Sequence, residues 1–426
     1  MEIEERLAAR TPTWDHEGLT LPPGTRIVHI GPHKTGTTAV QASLFAARKS
    51  LEQQGVYYAS EGRHAMTAVL AGLQLPNAWG DDKEPPPRWK WDRLVSKVRA
   101  TKADRVVISS EFFADGKPDA IKKVIDELDP SKVHVVVTLR PLAKIMPSQW
   151  QQWVQNQWTM PLDEWVQDLL KNPKGTAGKT FWRRHRHDEL INRWAEIVGM
   201  DRVTAIALDE GDHEMVLRVF ERLTGLETGT LQPVTMLSNR SMTLPEIEVI
   251  RAFNAAYKAE KLSRKVYTRV VRFGASALME VRPPSPDEPR IELPESAREP
   301  VGAMARQIID GIRASGVRVI GDLDGLTQVP ESRGMPIGPV AVSPEVAASA
   351  AMGVLIAAGL ARGSGRITAE VDAMEEGGTP LKAPPIVQEP AELLRLSSTQ
   401  LQIVLIRRAR AALVEKLGPL LFWRRR

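Results

Sequence analysis

The strongest constraint on the fold is the segment at residues 26–44, which reads RIVHIGPHKTGTTAVQASL. It predicts a short apolar strand, a loop rich in glycine and threonine, and the start of a helix. The common phosphate-binding loop, G-x-x-x-x-G-K-[ST], carries its lysine directly after the second glycine. Here Gly31 and Gly36 keep the four-residue gap, but Thr37 follows the second glycine and the lysine is Lys34, inside the loop. This displacement argues against ATP hydrolysis and for another anionic donor.

The parts of this loop suit an anion. Its glycines permit a tight turn that aims backbone N–H groups at the ligand, and the following helix N-terminus adds partial positive charge. Lys34 supplies a full charge, and Thr37 and Thr38 supply hydroxyl donors. A glycine turn capped by threonine is the alternative, because such turns occur at many helix starts. Strand, glycine spacing, lysine and paired threonines together favour the anion site.

Strand-like and helix-like stretches alternate between residues 25 and 208. Strands are expected at residues 26–30, 55–58, 105–109, 132–139 and 202–207. Helices are expected at residues 38–53, 91–100, 118–128 and 142–157. This alternation predicts βαβ units in an α/β fold with a mostly parallel sheet. Ligands of such sheets bind at the carboxyl ends of the strands.

A second candidate anion-binding pair follows the strand expected at residues 132–139. Arg140 comes directly after it, and Ser148 lies eight residues further on, in LRPLAKIMPSQW. An arginine at the carboxyl end of a strand projects into the ligand crevice, and its guanidinium group matches phosphate oxygens. Taken alone, Arg140 fits a strand-end salt bridge equally well, and Ser148 fits a helix cap.

The P-H-K-T-G-T-T loop and the arginine–serine pair together resemble the PAPS-dependent sulfotransferases, a P-loop family with bacterial members; PAPS is 3′-phosphoadenosine 5′-phosphosulfate. The resemblance covers about residues 25–326 and implies a P-loop-type three-layer αβα fold. It implies that the 3′-phosphate is bound by Arg140 and Ser148, that Lys34 contacts the bridging oxygen of the donor, and that no metal is needed. The residues implied for the 5′-phosphosulfate are Gly31, His33, Lys34, Thr35, Gly36, Thr37 and Thr38.

Transfer of a sulfuryl group to an alcohol also needs a base near the loop. In the family this base is a glutamate or a histidine. Glu111 follows the strand at residues 105–109 and is expected at the carboxyl edge beside the loop, whereas His64 follows the strand at residues 55–58. Glu111 as a helix-start acid and His64 as a surface histidine are the alternatives. His33 is expected to line the site without acting as the base.

The implied function is transfer of a sulfuryl group from PAPS to a hydroxyl or amine of a carbohydrate, a lipid or a small metabolite. Two other functions stay open. A P-loop nucleotide kinase or NTPase is disfavoured because G-K-[ST] is missing from the expected frame. A catalytically silent nucleotide-binding scaffold is disfavoured by the presence of Lys34, Arg140 and Ser148.

The amino-acid composition excludes several kinds of site and narrows the partners and the compartment that we expect. The 426 residues include no cysteine, which excludes a disulfide framework, a thiolate nucleophile and cysteine-ligated zinc. The net charge of +5 suits an anionic ligand, and because the sequence has no nucleic-acid-binding motif, no nucleic-acid partner is expected. The lack of cysteine, and an N-terminus without the apolar core of a signal peptide, lead us to expect a cytoplasmic protein.

Four regions are expected along the chain. Residues 1–24 are an N-terminal extension, residues 25–326 the sulfotransferase-like domain, and residues 327–398 a linker with proline, glycine and a helix. Residues 399–426 carry apolar and basic side chains at helical spacing and predict a helical C-terminal extension. This basic helix could make a peripheral contact with an acidic membrane surface, dock on the protein or mediate self-association.

Overall fold

A single parallel sheet organises the protein. The structure is a computed structural model that describes residues 18–76, 84–234, 240–332 and 340–360. In these ranges the strands are β1 (Thr25–Ile30), β2 (Val56–Tyr58), β3 (Arg105–Ser109), β4 (Val133–Leu139), β5 (Val203–Ala207) and β6 (Arg318–Ile320). They form a six-stranded sheet of order β2-β3-β1-β4-β5-β6 in which every neighbouring pair is parallel. The predicted α/β fold with a mostly parallel sheet is confirmed.

The five expected strands are all present, each within one residue of its expected bounds. The sixth, β6, has no counterpart in the sequence prediction. It has three residues and lies at the edge of the sheet, where Ile320 is buried and Arg318 is exposed. A run this short lacks the apolar pattern that identifies a strand.

Helices cover both faces of the sheet. They are α1 (Thr37–Ala46), α2 (Arg48–Gln53), α3 (Met66–Leu73), α4 (Trp89–Ala100), α5 (Pro118–Glu127), α6 (Leu142–Val154), α7 (Leu162–Lys171), α8 (Thr176–His185), α9 (His187–Val198), α10 (Met215–Thr224), α11 (Leu244–Ala259), α12 (Arg264–Tyr267), α13 (Ala277–Val281), α14 (Glu295–Ser315) and α15 (Pro344–Ala357). Short 3₁₀ segments lie at Glu111–Asp115, Met200–Arg202 and Asp324–Thr327, and a π-helical segment lies at Thr268–Ser276.

The central strand β1 separates two hydrophobic layers. Ile27 lies in the layer formed with α1, α2 and α10, whereas Val28 and Ile30 lie in the layer on the opposite face. Strand β4 alternates in the same way, with Val136 in the first layer and Val135 in the second. Successive side chains of a strand point to opposite faces, so both faces of the sheet are covered and the fold has three layers, αβα.

Two predicted helices differ from their expected extents. The helix expected at residues 38–53 is broken at Ala47, where φ is −83° and ψ is 3°. The helix expected at residues 142–157 ends at Val154, because Gln157 has a positive φ of 73° and the N–H group of Trp158 donates back to the carbonyl of Trp153 at 2.9 Å. A bond of this kind closes many helix C-termini.

The C-terminal extension is described only as far as residue 360. Helix α15 packs against the π-helical segment, and Gly353 and Gly274 lie at the crossing, each leaving no room for a Cβ on the other. The helix expected at residues 399–426 and most of the extension expected at residues 1–24 lie outside the described residues. Within the described ranges, none of the helices is both long and apolar enough to cross a bilayer.

Candidate active site

A cavity of about 400 Å³ opens at the carboxyl edge of the sheet. Its lining comes from the loop after β1, the residues that follow β3 and β4, one face of α6, and two later segments. The lining residues are His33, Lys34, Gly36, Thr37, Thr38, Glu111, Arg140, Ser148, Gln151, Gln152, Gln155, Arg240, Ser241 and Glu280. All of them are polar or glycine, so the cavity suits a polar, charged ligand.

The strand order explains why these residues meet. Strand β1 lies between β3 and β4, with His29 level with Ser109 on one side and Ile30 level with Val137 on the other. The loop after β1 is therefore flanked by the segments that leave β3 and β4. This arrangement brings Lys34, Glu111 and Arg140 to one cavity although they are far apart in sequence.

The loop after β1 is closed by its own threonine. The hydroxyl of Thr37 donates to the carbonyl of Gly31 at 2.7 Å, and a Cβ on Gly31 would overlap that hydroxyl. Lys34 and Gly36 have left-handed backbones, with φ of 70° and 81°. The first N–H groups of a helix have no intrahelical acceptor, so those of Thr37 and Thr38 are available to an anion. Gly31 shapes the loop without lining the cavity.

A buried polar network supports the loop from below. The hydroxyl of Thr35 donates to the carbonyl of Pro32 at 2.7 Å and lies 3.0 Å from the hydroxyl of Thr138. The ring of His29 bonds Ser109 Oγ at 2.8 Å and Thr138 Oγ1 at 3.4 Å. Burial lowers the pKa of His29 to about 3, so this histidine is neutral and structural. Sequence reasoning missed it, because a histidine inside an apolar strand carries no motif.

Lys34 is the cation of the loop. Burial lowers its pKa to about 8; Glu280 opposes this shift, while Arg272 and Arg140 add to it. In the part of the chain that the structure describes, no carboxylate oxygen lies within 4.0 Å of Lys34 Nζ. Its charge is therefore accessible to an anionic ligand in the cavity.

Arg140 is held by a carboxylate. Its Nε and Nη2 donate to Glu210 at 2.6 and 2.9 Å, and Nη1 donates to the carbonyl of Lys34 at 3.3 Å. Burial would raise the pKa of Glu210, but the bonds and charge of Arg140 outweigh it and the pKa lies below its usual value. The sequence left open whether Arg140 forms a strand-end salt bridge, and the structure shows that it does, with Glu210. Arg140 still lines the cavity, together with Ser148.

Glu111 begins the 3₁₀ segment after β3 and lines the cavity. Burial raises the pKa of its carboxyl group, and a hydrogen bond from the side chain of Gln41 works in the opposite direction. The preceding residue, Ser110, caps the segment by accepting from the N–H group of Phe112 at 3.3 Å. The residue is thus half-buried at the edge of the cavity.

Glu280 is a second carboxyl group in the cavity, and sequence reasoning missed it. It lies on α13 and accepts a bond from Gln155 Nε2 at 2.8 Å. Burial raises its pKa to about 7, while Gln155, Lys34 and nearby arginines oppose the shift. Nothing in the sequence around residue 280 marks it, because α13 reaches the cavity from a helical region far along the chain.

The two histidines predicted at the site, His33 and His64, differ in their position relative to the cavity. His33 lines the cavity, and its Nε2 has no hydrogen-bond partner among the described residues. His64 does not line the cavity: Nδ1 lies 2.6 Å from Gln41 Oε1, and Nε2 accepts from Arg63 Nε at 3.0 Å. Burial, and then the charge of Arg63, lower the pKa of His64 to about 4. The structure therefore does not bring His64 to the cavity as a rival base.

One face of α6 forms a polar wall. Ser148, Gln151 and Gln152 of α6, and Gln155 directly after it, are spaced at i, i+3, i+4 and i+7 and all line the cavity. This spacing places them on one side of a helix. The polar stripe is visible in the sequence and could have predicted the wall.

Arg240 and Ser241 close the cavity from another segment. Arg240 donates to both carboxylate oxygens of Glu246, at 2.6 and 2.8 Å, and Glu246 is fully buried. This pairing fixes the guanidinium group at the rim. No motif marks these residues in the sequence.

Comparisons with known proteins give one distant similarity. No protein-family model matches the chain, and no curated protein matches it. Among solved structures, the chain is similar to a sulfotransferase from Alicyclobacillus acidocaldarius at 16% sequence identity, with 57% of this chain and 94% of that chain covered and a TM-score of 0.37. Similarity at this level does not by itself establish an activity.

Proposed function

We propose that this chain is a PAPS-dependent sulfotransferase that acts on a polar small-molecule acceptor. The observation that supports this most is the meeting in one cavity of Lys34 with Arg140 and Ser148. A phosphate loop and a separate arginine–serine pair suit a ligand with two anionic groups. PAPS carries a phosphosulfate at one end of its ribose and a phosphate at the 3′ position.

The residues present fit this donor. The N–H groups at the start of α1 and the Lys34 ammonium suit the 5′-phosphosulfate, because both favour negative charge. The guanidinium of Arg140 bonds the loop carbonyl of Lys34, so it lies beside the loop and within the same cavity. A 3′-phosphate there would share or replace the bonds to Glu210.

In the transfer, the acceptor hydroxyl oxygen forms a bond to sulfur while the bond between sulfur and the 5′-phosphate oxygen breaks. We assign removal of the acceptor proton to Glu111, which lines the cavity beside the loop. Lys34 and the helix N-terminus stabilise the charge that develops on the leaving phosphate. The products are the sulfated acceptor and 3′-phosphoadenosine 5′-phosphate.

Glu280 is the second candidate base. It lines the same cavity, and its pKa of about 7 is well matched to proton transfer near neutral pH. Its oxygen is already bonded to Gln155. Because it is the charge that most strongly supports protonation of Lys34, we assign it the role of counter-ion to that lysine.

The acceptor class follows from the polar wall. Among the residues that the structure describes, no apolar side chain lines the cavity, which disfavours a lipid tail. The amide groups of Gln151, Gln152 and Gln155 can donate to and accept from neighbouring hydroxyl groups. Of the acceptors considered from sequence, a carbohydrate or another polyhydroxylated metabolite fits best.

The test is a transfer assay with labelled PAPS and a panel of polyol, aminosugar and phenol acceptors. We expect sulfate to appear on a polyol or aminosugar and transfer to be lost in Lys34→Ala. Turnover of ATP with magnesium, and no transfer from PAPS to any acceptor, would support a nucleotide kinase or NTPase instead.

A further inference from the structure

A continuous helical run at residues 264–281 supplies Glu280 to the cavity. The run comprises α12, the π-helical segment and α13, which follow one another without a break. Glu280 lies in the last of these and lines the cavity. π-Helical backbone is rare and is frequently found at functional sites. The contacts that hold this run in place therefore bear on the geometry of the cavity.

Two side-chain hydrogen bonds attach the run to the end of α6. Gln155, the residue directly after α6, donates from Nε2 to Glu280 Oε1 at 2.8 Å. The next residue, Asn156, accepts at Oδ1 from Arg272 Nη1 at 2.6 Å. Because Gln155 and Glu280 both line the cavity, the first bond joins two of its walls.

The end of α13 is attached to the rim of the cavity. Arg240 donates to the carbonyl oxygens of Met279 and Arg282, the second at 2.9 Å from Nη2. The guanidinium group of Arg240 is itself held by Glu246. Glu280 lies between the two acceptor residues in the chain, so its backbone is held from the rim side as well.

Helix α15 packs against the π-helical segment and α13, with the two backbones in direct contact. A Cβ on Gly274 would lie 2.6 Å from the carbonyl oxygen of Gly353 and 2.7 Å from the Cβ of Ala357. A Cβ on Gly353 would lie 2.7 Å from the Cα of Ala275. Arg269 Nε donates to the carbonyl of Ala357 at 2.8 Å, which fastens the end of α15 to the run. Only glycine fits on either side of this crossing.

The contacts with α15 and the contacts with α6 lie on opposite sides of the run. Gly274 is two residues after Arg272 and six residues before Glu280. In a helix of about 3.6 residues per turn these spacings place Gly274 on the side away from both. The run is therefore held between the end of α6 on its cavity side and α15 behind it.

We propose that α15 is a positioning element of the active site, which holds Glu280 in the cavity by packing behind the helical run. Sequence analysis placed this helix in a linker region, residues 327–398, outside the sulfotransferase-like domain. The site therefore depends on a segment beyond residue 326. The effect on turnover rests on the proposed function, because transfer depends on the geometry of the groups around the donor, and a small displacement from a remote change can cost much of the rate.

Gly353→Leu tests this inference in the full chain. The larger side chain does not fit into the crossing, so either α15 or the helical run must move. Ala351→Leu is the matched control, because Ala351 is an exposed residue of the same helix. Thermal unfolding establishes that each variant is folded. If Gly353→Leu does not fold, Gly353→Ala replaces it, since one methyl group still overlaps the backbone of Ala275 and alanine is the better helix former.

The direct readout is the hydrogen bond between Gln155 and Glu280, observed by nitrogen-15 NMR of the Gln155 side-chain amide. Gln155→Met assigns the signal by its loss, and Glu280→Ala gives its position without the bond. In Gly353→Leu we expect the signal to move to its position in Glu280→Ala, and the backbone amides of residues 268–281 to lose protection from deuterium exchange. We expect kcat for transfer from PAPS to fall about 10- to 100-fold. Ala351→Leu should leave all three measurements unchanged.

An unchanged Gln155 signal in the folded Gly353 variant would overturn the inference, because Glu280 would then keep its place without the packing of α15. Transfer at the wild-type rate in that variant would overturn the positioning role as well. Failure of the proposed function has a different signature, since a wild-type protein that transfers no sulfate can still show the Gln155 signal and its response to Gly353→Leu. The NMR measurement therefore tests the role of α15 independently of turnover.

Discussion

Arg140 and Glu210 form a bidentate ion pair at the carboxyl edge of the sheet, with donor–acceptor distances of 2.6 and 2.9 Å. The pair occupies the face of the guanidinium group that would otherwise bind phosphate, and both side chains are partly exposed, at 27% and 33%. Binding of a 3′-phosphate must therefore compete with Glu210 for Arg140. The strength of that competition can be measured.

Glu210→Gln should tighten binding of 3′-phosphoadenosine 5′-phosphate. A partly exposed ion pair is worth about 0.2–1 kcal/mol, which corresponds to an increase in affinity of up to about fivefold. Calorimetry measures the change, and Glu227→Gln, an exposed glutamate away from the cavity, is the matched control. Weaker binding in Glu210→Gln would mean that Glu210 orients Arg140 for the phosphate and does not compete for it.

Activity should fall as the pH rises through about 8, because Lys34 loses its proton with a pKa of about 8. The neutral amine no longer stabilises the leaving phosphate. Since Glu280 raises the pKa of Lys34, Glu280→Gln should move the basic limb of the kcat/KM profile to lower pH. A basic limb that stays in place in Glu280→Gln would contradict the role of counter-ion.

Glu111→Gln should lower kcat by about 10²–10⁴-fold, the usual contribution of a general base. Affinity for 3′-phosphoadenosine 5′-phosphate should persist, since the amide keeps the size of the side chain and the donor loop is untouched. Single-turnover transfer and calorimetry measure the two effects. If Glu111→Gln keeps its activity and Glu280→Gln loses it, Glu280 is the base.

Gly31→Ala should weaken nucleotide binding and destabilise the protein. The new Cβ would overlap the hydroxyl of Thr37, which closes the loop through the carbonyl of Gly31. Overpacking of this kind costs about 1–3 kcal/mol, measured as the free energy of unfolding in urea. Gly62→Ala is the control, because nothing lies within 4 Å of its added Cβ and its φ is not positive. Equal stability of the two variants would show that the loop adapts.

The site could be predicted from the sequence where its residues directly follow strands. Lys34, Glu111 and Arg140 are each within a few residues of a strand end, and parallel strands bring their carboxyl ends to one edge. Glu280 and Arg240 reach the cavity from later segments whose packing no local pattern encodes. Hydrogen bonds between side chains far apart in sequence are likewise not encoded by any local pattern.

The hydrogen bond between Gln41 and His64 is a pairing of this kind. Gln41 lies 23 residues before His64, and the sequence treats both as unrelated polar residues. Only the packing of α1 against the segment after β2 shows that one contacts the other. Sequence reasoning expected Glu111 and His64 near the same edge, but it could not show that His64 lies outside the cavity or that both of its ring nitrogens have partners.

The proposed function requires the cavity to bind a nucleotide with phosphate groups at both the 5′ and 3′ positions. Calorimetry without magnesium, comparing 3′-phosphoadenosine 5′-phosphate with adenosine 5′-phosphate, tests it most directly. We expect the first to bind at least about tenfold more tightly, since hydrogen bonds to charged groups contribute about 1.5–3 kcal/mol, and Arg140→Ala should remove the difference. Equal affinity for the two nucleotides in the wild-type protein would contradict the assignment.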